Sequence, residues 1–255
     1  MSSVLPKHQE LIKRLTTANR VAVLTGAGIS AESGIPTFRD EDGLWQKYDP
    51  QELATMEAFL QQPEVVQEWY EHRRSIIHDT TPNPAHRALV ELESMHSEFT
   101  IITQNVDNLH QEAGSEKVIE LHGNIQRNYC VDCEREASEA TIDQLAEDQA
   151  PVRCPECNGL IRPDVVWFGE PLPEGEFEKA SKVSQRCDVF LSIGTSAMVF
   201  PAAQLPITAK DNGSYLAEIN TEPSDLTPFV DASVRGKAGE LLPEIVGYLR
   251  ERRQH

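Results

Sequence analysis

Two pairs of cysteines, Cys130 with Cys133 and Cys154 with Cys157, stand with twenty residues between them. Each pair is a C-x-x-C knuckle, and two knuckles offer four thiolates, enough to fill a tetrahedral shell with no open position. That spacing predicts a structural four-cysteine zinc ribbon, in which one Zn2+ folds the segment and takes no part in catalysis. The alternative, two redox-active pairs, sits badly with the loop-rich, acidic stretch between them. The fifth cysteine, Cys187, precedes an apolar run and reads as a core residue. The other chemistry-bearing residues each close a short apolar run: Gly26, Ala27, Gly28 and Ser30 after residues 21–24; Gln104, Asn105, Val106 and Asp107 after residues 99–103; His122 after residues 118–121; Gly194, Thr195 and Ser196 after residues 189–193; and Asn220 after residues 214–219. A histidine near its ordinary pKa takes a proton at cellular pH, and an amide beside a carboxylate offers a carboxamide its acceptor and donor. Gly26-x-Gly28-x-x-Ala31 fits the turn that lets a backbone approach a pyrophosphate at a helix start. Each feature has a plainer reading by itself, as tight packing, a satisfied core histidine or turn chemistry. In combination they describe a nucleotide site with an acid–base group.

A second constellation lies on a helical segment. Tyr70 and Arg73 are three residues apart, hence on one helix face. A phenol beside a guanidinium can hold a carboxylate, the arginine forked and the tyrosine donating one more bond. The plainer alternative pairs Arg73 with Glu68 or Glu71 on a solvated face.

These residues need elements to position them. Residues 5–19 read as an amphipathic helix, 21–24 as a buried strand, 40–50 as a loop, and 51–78 as helices broken at Pro63. Pro82-Asn83-Pro84 punctuates the chain before a helix over 85–95, and 241–253 reads as the last helix. Strands alternating with helices predict an α/β fold with a doubly wound parallel sheet, and polar residues at strand C-termini are where such sheets bind ligands.

Composition bounds the rest. The chain has 255 residues, 39% of them hydrophobic, and a net charge of −18 with a pI near 4.8. Such an acidic balance argues against nucleic acid or an anionic membrane as partner. No run is apolar enough to span a bilayer, and the first fifteen residues carry no secretory pattern, so the cytoplasm is expected.

The motifs TGAGIS-x-ESGIP-x-FR, QNVDNLH, LHGN, the four-cysteine ribbon, RP-x-VVWFGE and GTS with a nearby PAA resemble those of the sirtuins, NAD-dependent protein lysine deacylases. The match runs through nearly the whole chain in family order. It implies a Rossmann-like NAD-binding domain formed by residues 1–39, 79–122 and 167–255. It also implies a small inserted domain, with a helical module over 40–78 and the zinc ribbon over 123–166. It implies NAD as co-substrate, bound by Gly26, Ala27, Gly28, Ser30, Glu32, Thr37, Phe38, Arg39, Trp45, Gln104, Asn105, Val106, Asp107, Gly194, Thr195, Ser196, Asn220, Thr221, Glu222 and Ala238. His122 is implied as general base with Asn105 as its catalytic companion, the products being free lysine, nicotinamide and O-acyl-ADP-ribose. Val165, Val166 and Phe168 would offer an extended edge to a substrate peptide. The partners implied are acylated lysine side chains of proteins, met by a monomer. In the sirtuin subclass that removes succinyl, malonyl and glutaryl groups, a Y-x-x-R pair reads the acyl carboxylate. Tyr70 and Arg73 match it, and Ala58 matches the small residue that leaves room.

One departure is Asp164, which stands where many members carry histidine, so peptide preference is expected to differ. Two alternatives within reach of the same motifs are a plain lysine deacetylase and an NAD-dependent protein ADP-ribosyltransferase. A dehydrogenase would need an acidic residue at the end of a second strand about twenty residues on, where this chain has loop and helix. A zinc-ribbon binding module would not need His122 or the Asn105/Asp107 pair.

Overall fold

The computed structural model describes residues 8–36, 53–138, 142 and 150–253. Its centre is a six-stranded sheet built from β1 (Arg20–Thr25), β2 (Glu98–Thr103), β3 (Val118–Glu120), β7 (Val189–Ile193), β8 (Tyr215–Asn220) and β9 (Ala232–Arg235), in the order β3-β2-β1-β7-β8-β9. All five pairings are parallel. Successive residues of β1 serve opposite faces, as the period of two requires. Val21 and Val23 join a core with α1 (Gln9–Thr17), α4 (Pro84–Ser94) and α8 (Ala238–Arg253), while Ala22 and Leu24 join a second core with α6 (Glu174–Arg186) and α7 (Gln204–Asp211). A strand covered on both faces must be apolar throughout, which is why residues 21–24 carry no polar side chain.

The helical insertion contributes α2 (Met56–Gln61) and α3 (Pro63–His78). Thr55 caps α2 by accepting from the Ala58 N–H at 3.1 Å, and Pro63 opens α3 at its first position, where its missing N–H costs nothing. Asn83 caps α4, its carboxamide accepting from Ala85 N–H at 2.9 Å while its own N–H donates to His86 Nδ1 at 3.3 Å. That reciprocal cap is the physical content of the Pro-Asn-Pro punctuation. A short helix, α5 (Leu109–Ala113), follows β2.

The second sheet is antiparallel, in the order β5-β4-β6, with β4 (Gly123–Cys130), β5 (Glu136–Ala137) and β6 (Ile161–Val165). Ile125, Val165 and Trp167 from this region share one core with Leu53, Ala58, Phe59, Val66, Trp69, Tyr70 and Ile77 of the helical insertion. Two segments far apart in the chain therefore make one small module. Trp167, placed by the sequence at the start of the last Rossmann-like segment, packs in this module. Helices α5, α6 and α7 and strand β9 are not anticipated from the sequence. β9 is four residues long, too short to announce itself, whereas α6 sets Phe177, Ala180 and Val183 on one face at helical spacing, a signal present in the sequence but not read from it. Among the described residues no helix is long and apolar enough to cross a membrane.

Candidate active site

The register levels the strand ends. Thr25 lies beside Thr103 and Ile193, Thr103 beside Glu120, and Ile193 beside Ile219. The segments carrying Gly26, Gln104, His122, Gly194 and Asn220 therefore leave the sheet along one edge. Between β1 and β7 the strand order reverses, which is the crevice where open α/β sheets take ligands.

At that crevice the two central turns interlock. Gly26 N–H donates to Ile193 O at 3.1 Å and Gly28 N–H to Gly194 O at 2.8 Å. A Cβ on Gly28 would lie 2.8 Å from Gly194 Cα, and one on Gly194, whose φ is +60°, would lie 2.4 Å from Ile29 N. The sequence assigned Gly26 and Gly28 to the approach of a pyrophosphate. In the structure their missing side chains admit the opposite turn, which brings Ala27 and Thr195 to either side of one seam.

Beyond the seam the polar side chains bond to one another. Ser30 Oγ donates to Asp107 Oδ2 at 2.7 Å, and Asn105 Nδ2 donates to both Ser30 Oγ and Gly26 O at 3.1 Å. Burial pushes the Asp107 carboxyl upward, opposed by the bonds from Ser30 and from Leu109 N–H. Val106 ties this loop to the small module, its carbonyl accepting from Ile125 N–H at 2.9 Å. Gln104 Nε2 donates to Thr195 Oγ1 at 3.0 Å, and Asn220 Nδ2 to Thr195 O at 2.9 Å. Ser196 O accepts from Asp225 N–H, Thr221 N–H donates to Asn220 Oδ1, and Glu222 O accepts from Arg235. Glu32 Oε1 accepts from Gly239 N–H at 2.8 Å, beside Ala238 at the start of α8. Thr37, Phe38, Arg39 and Trp45 lie outside the described residues.

His122 Nδ1 lies 2.9 Å from Gln104 O. A carbonyl only accepts, so Nδ1 carries the proton and Nε2 keeps its lone pair. Burial lowers the imidazole below its ordinary pKa, partly offset by that bond, so the ring is neutral at cellular pH.

The sequence passed over a buried layer beneath this loop. His110 Nε2 lies 2.9 Å from Thr25 Oγ1, which donates to Thr103 Oγ1, which in turn accepts from Asn105 N–H at 3.0 Å. The His86 and His110 rings are 4.9 Å apart, and burial lowers them to about 4 and about 3. Their only signal in the sequence is position, His86 at the third residue after the Asn83 cap and His110 at the third after Asp107.

In the small module Tyr70 is buried, with its hydroxyl accepting from Trp167 Nε1–H at 2.8 Å. The Arg73 guanidinium lies over Tyr70 and Trp69, 5.3 Å and 4.8 Å from their ring centroids. Burial lowers its pKa, while contact with the Tyr70 hydroxyl raises it. The ion pair to Glu71 is made by Arg74, at 3.0 Å, and Ala58 is buried in the same core. Val165 ends β6; the N–H groups of Val166 and Phe168 donate to His122 O and Ala54 O, both at 2.9 Å. Asp164 pairs with Arg127 at 2.8 Å, and Arg127 also holds Glu120 at 2.7 Å.

The four cysteine Sγ atoms lie within 4.8 Å of one another, with Cys130 to Cys157 at 3.4 Å and Cys133 to Cys154 at 3.8 Å. A tetrahedral zinc with Zn–S bonds of about 2.3 Å has S–S edges of about 3.8 Å, so the donor set fits one structural Zn2+. The knuckles are built alike: Glu134 and Asn158, each four residues after its first cysteine, have positive φ and donate their N–H to that cysteine's carbonyl.

The model of the Sir2 family matches residues 26–201. An NAD-dependent protein deacylase of Pyrococcus furiosus is 52% identical over 94% of this chain and 97% of its own, and one of Aquifex aeolicus is 49% identical over 91% and 96%. Among solved structures, a Sir2 homologue in complex with NAD superposes with a TM-score of 0.88 at 43% identity, covering 96% of this chain and 94% of that one. A Sir2 protein with a deacetylated p53 peptide and 3′-O-acetyl ADP ribose gives 0.86 at 34% identity, covering 95% and 98%. With a nucleotide crevice at the switch point, a four-cysteine metal site and relatives of this closeness along almost its full length, the chain belongs to the Sir2 family, the sirtuins.

Proposed function

We propose that this protein removes acidic acyl groups (succinyl, malonyl and glutaryl) from protein lysines, with acetyl-lysine as a poorer substrate. The broader activity, NAD-dependent protein deacylation, is that of its family and of its relatives at about 50% identity. The observation that carries the finer reading is Tyr70 and Arg73 side by side within the small module. A bare carboxylate is very costly to bury, and a forked guanidinium with a phenol beside it offsets that cost. Acetyl has no charge to pair and gains nothing there.

NAD, when bound, supplies the electrophilic ribose carbon and the nicotinamide leaving group. The residues of the chain do the rest. Asn105 and Asp107, held by Ser30, orient the carboxamide and ribose end of the co-substrate. His122, neutral and with Nε2 free of its own proton, accepts a proton from a ribose hydroxyl. Thr195 and Asn220 define the adenosine side of the crevice. The four thiolates keep the ribbon folded and give the metal no open position for chemistry. A reducing compartment, the cytoplasm, goes with this use of cysteine.

Initial rates on one peptide bearing succinyl- or acetyl-lysine, for wild type and Arg73→Met, test the reading. Losing a charge-assisted contact should cost about 2 kcal/mol or more in transition-state stabilisation, roughly thirtyfold on the succinyl substrate, with most acetyl turnover kept. Equal losses on both substrates would make Arg73 structural and the enzyme a deacetylase.

A further inference from the structure

We infer that Glu218, a buried carboxylate on β8, is a positioning residue for the co-substrate. It gathers residues 221–227 into the adenosine wall of the crevice, so that affinity for NAD depends on it and the chemical step does not. The inference goes beyond the acyl preference proposed above and rests only on the NAD crevice itself.

A strand covered on both faces has little room for a charge. β8 sends Ala217 and Ile219 into one core and Leu216 into the other, and Glu218 falls on the Leu216 face at 1% exposure. A bare carboxylate is very costly there, so its partners have to answer it. Ser224 Oγ donates to Oε1, Thr227 Oγ1 donates to Oε2 at 2.8 Å, and the Arg235 guanidinium pairs with Oε2 at 2.8 Å. Ser233, opposite Glu218 on β9, adds a longer bond at 3.4 Å. All four groups come to Glu218 as donors, so the centre of the cluster has to accept on both oxygens.

The same groups shape the loop. Thr227 Oγ1 accepts from Ser224 N–H at 2.8 Å and from Arg235 at 2.9 Å, which fills both lone pairs and leaves its proton for Glu218. Ser224 Oγ accepts from Leu226 N–H at 3.1 Å and sends its own proton to the same carboxylate. Arg235 reaches further and donates to the Glu222 carbonyl at 2.9 Å. One buried carboxylate thereby fixes residues 222, 224 and 227 of a single turn, with Leu226 as the apolar anchor.

That turn closes one end of the crevice. Asn220, two residues beyond Glu218 and on the same face of β8, holds the Thr195 carbonyl, and Asp225 N–H reaches Ser196 O at 3.3 Å. The loop is strung between the strand carrying Asn220 and the turn carrying Thr195 and Ser196. Thr221 and Glu222, the residues implied to meet the adenosine, lie between those two ties and are exposed. His122, Asn105 and Asp107 are held by a separate set of bonds, to Gln104 O, Gly26 O and Ser30. Loosening the wall therefore weakens the hold on adenosine and leaves the base and the carboxamide residues in place.

The test uses the full-length zinc-loaded enzyme, with kinetics on NAD and one acyl-lysine peptide and calorimetric affinities for ADP-ribose and ADP. Glu218→Gln keeps the size and turns one acceptor into a donor that faces a hydroxyl or a guanidinium. It should raise KM for NAD about tenfold and weaken ADP-ribose and ADP by a similar factor, with kcat and the peptide KM within about twofold of wild type. Glu218→Asp, which keeps the charge on a shorter stem, should recover part of that loss. Arg235→Met should also raise KM for NAD, and the double variant with Glu218→Gln no further than the larger single effect, because the two side chains act as one unit. ADP-ribose affinity within about twofold of wild type in Glu218→Gln overturns the inference. So does a loss for ADP-ribose that ADP does not share, or an equal fall in kcat and peptide affinity, which would make Glu218 a general support of the fold. If Glu218→Gln fails to fold, Arg235→Met is judged by the same criteria. A wild type that binds neither ADP-ribose nor ADP overturns the adenosine wall itself, whereas one that binds both and shows no succinyl preference overturns only the acyl reading.

Discussion

The Nδ1–H of His122 is committed to the Gln104 carbonyl, and burial holds the ring below its ordinary pKa. A base must be neutral to work, so activity is full above that pKa and lost as the pH falls through it. The acid limb of kcat/KM should therefore centre below the ordinary histidine value of about 6.5. A limb centred above it, with the fold intact by circular dichroism, would mean that a charged partner outweighs burial. At this scale the sequence was informative where a residue type closes an apolar run, since His122, Asn105 and Asp107 each sit one to four residues past a strand. At Gly26 and Gly28 it said that something comes close without saying what, and the structure shows the opposite turn, at Gly194, as one such neighbour. It was silent at His86 and His110, whose burial depends on helices folding over them from elsewhere in the chain.

Those two histidines belong to the scale of elements. His86 on α4 and His110 on α5 pack ring to ring beneath the end of β1, and both are neutral in the folded state. In the unfolded chain they take protons near pH 6.5, so the stability they contribute is present above that pH and drains away as the pH falls toward 4. The loss is on the order of 3 kcal/mol per ring. Urea unfolding at pH 7.5 and pH 5 should show it, and His110→Gln should flatten the difference. An unchanged slope in that variant would assign the acid sensitivity to other groups. The elements themselves were legible in proportion to their hydrophobic contrast. β1 and β7 are continuous apolar runs, and α3 announces its start with Pro63. Strand β9 is too short to show a period, and the Phe177, Ala180 and Val183 face of α6 is thin among charged neighbours.

Across the whole molecule, two bodies of different origin meet at the site. The parallel sheet stands on cores of mostly aliphatic side chains with Phe99 and Phe190 among them, whereas the small module joins residues 53–77 to residues 125–167 and continues into a cysteine cluster. Removing one zinc equivalent with a strong chelator should open residues 130–161 to limited proteolysis and abolish peptide turnover, while the sheet keeps its far-ultraviolet signal. Unfolding of both bodies in one transition would show that the ribbon supports the sheet. The alternation of strands and helices made the sheet readable, and the C-x-x-C spacing made the ribbon readable. Their union was not, since it depends on Phe59, Tyr70 and Trp167 meeting across about a hundred residues of chain.

The interlocked turns at Gly26, Gly28 and Gly194 bear on how such an enzyme moves. With backbone against backbone at the switch point, the floor of the crevice has no slack and cannot hinge there. Admitting a co-substrate and shedding products then falls to the roof, where among the described residues the small module meets the sheet side through the Val106 and His122 carbonyls and through Asn124 and Arg127, both bonded to Glu120. Breathing of the catalytic cleft is thereby one-sided, and whatever stiffens the module slows turnover without touching a single residue that performs the chemistry.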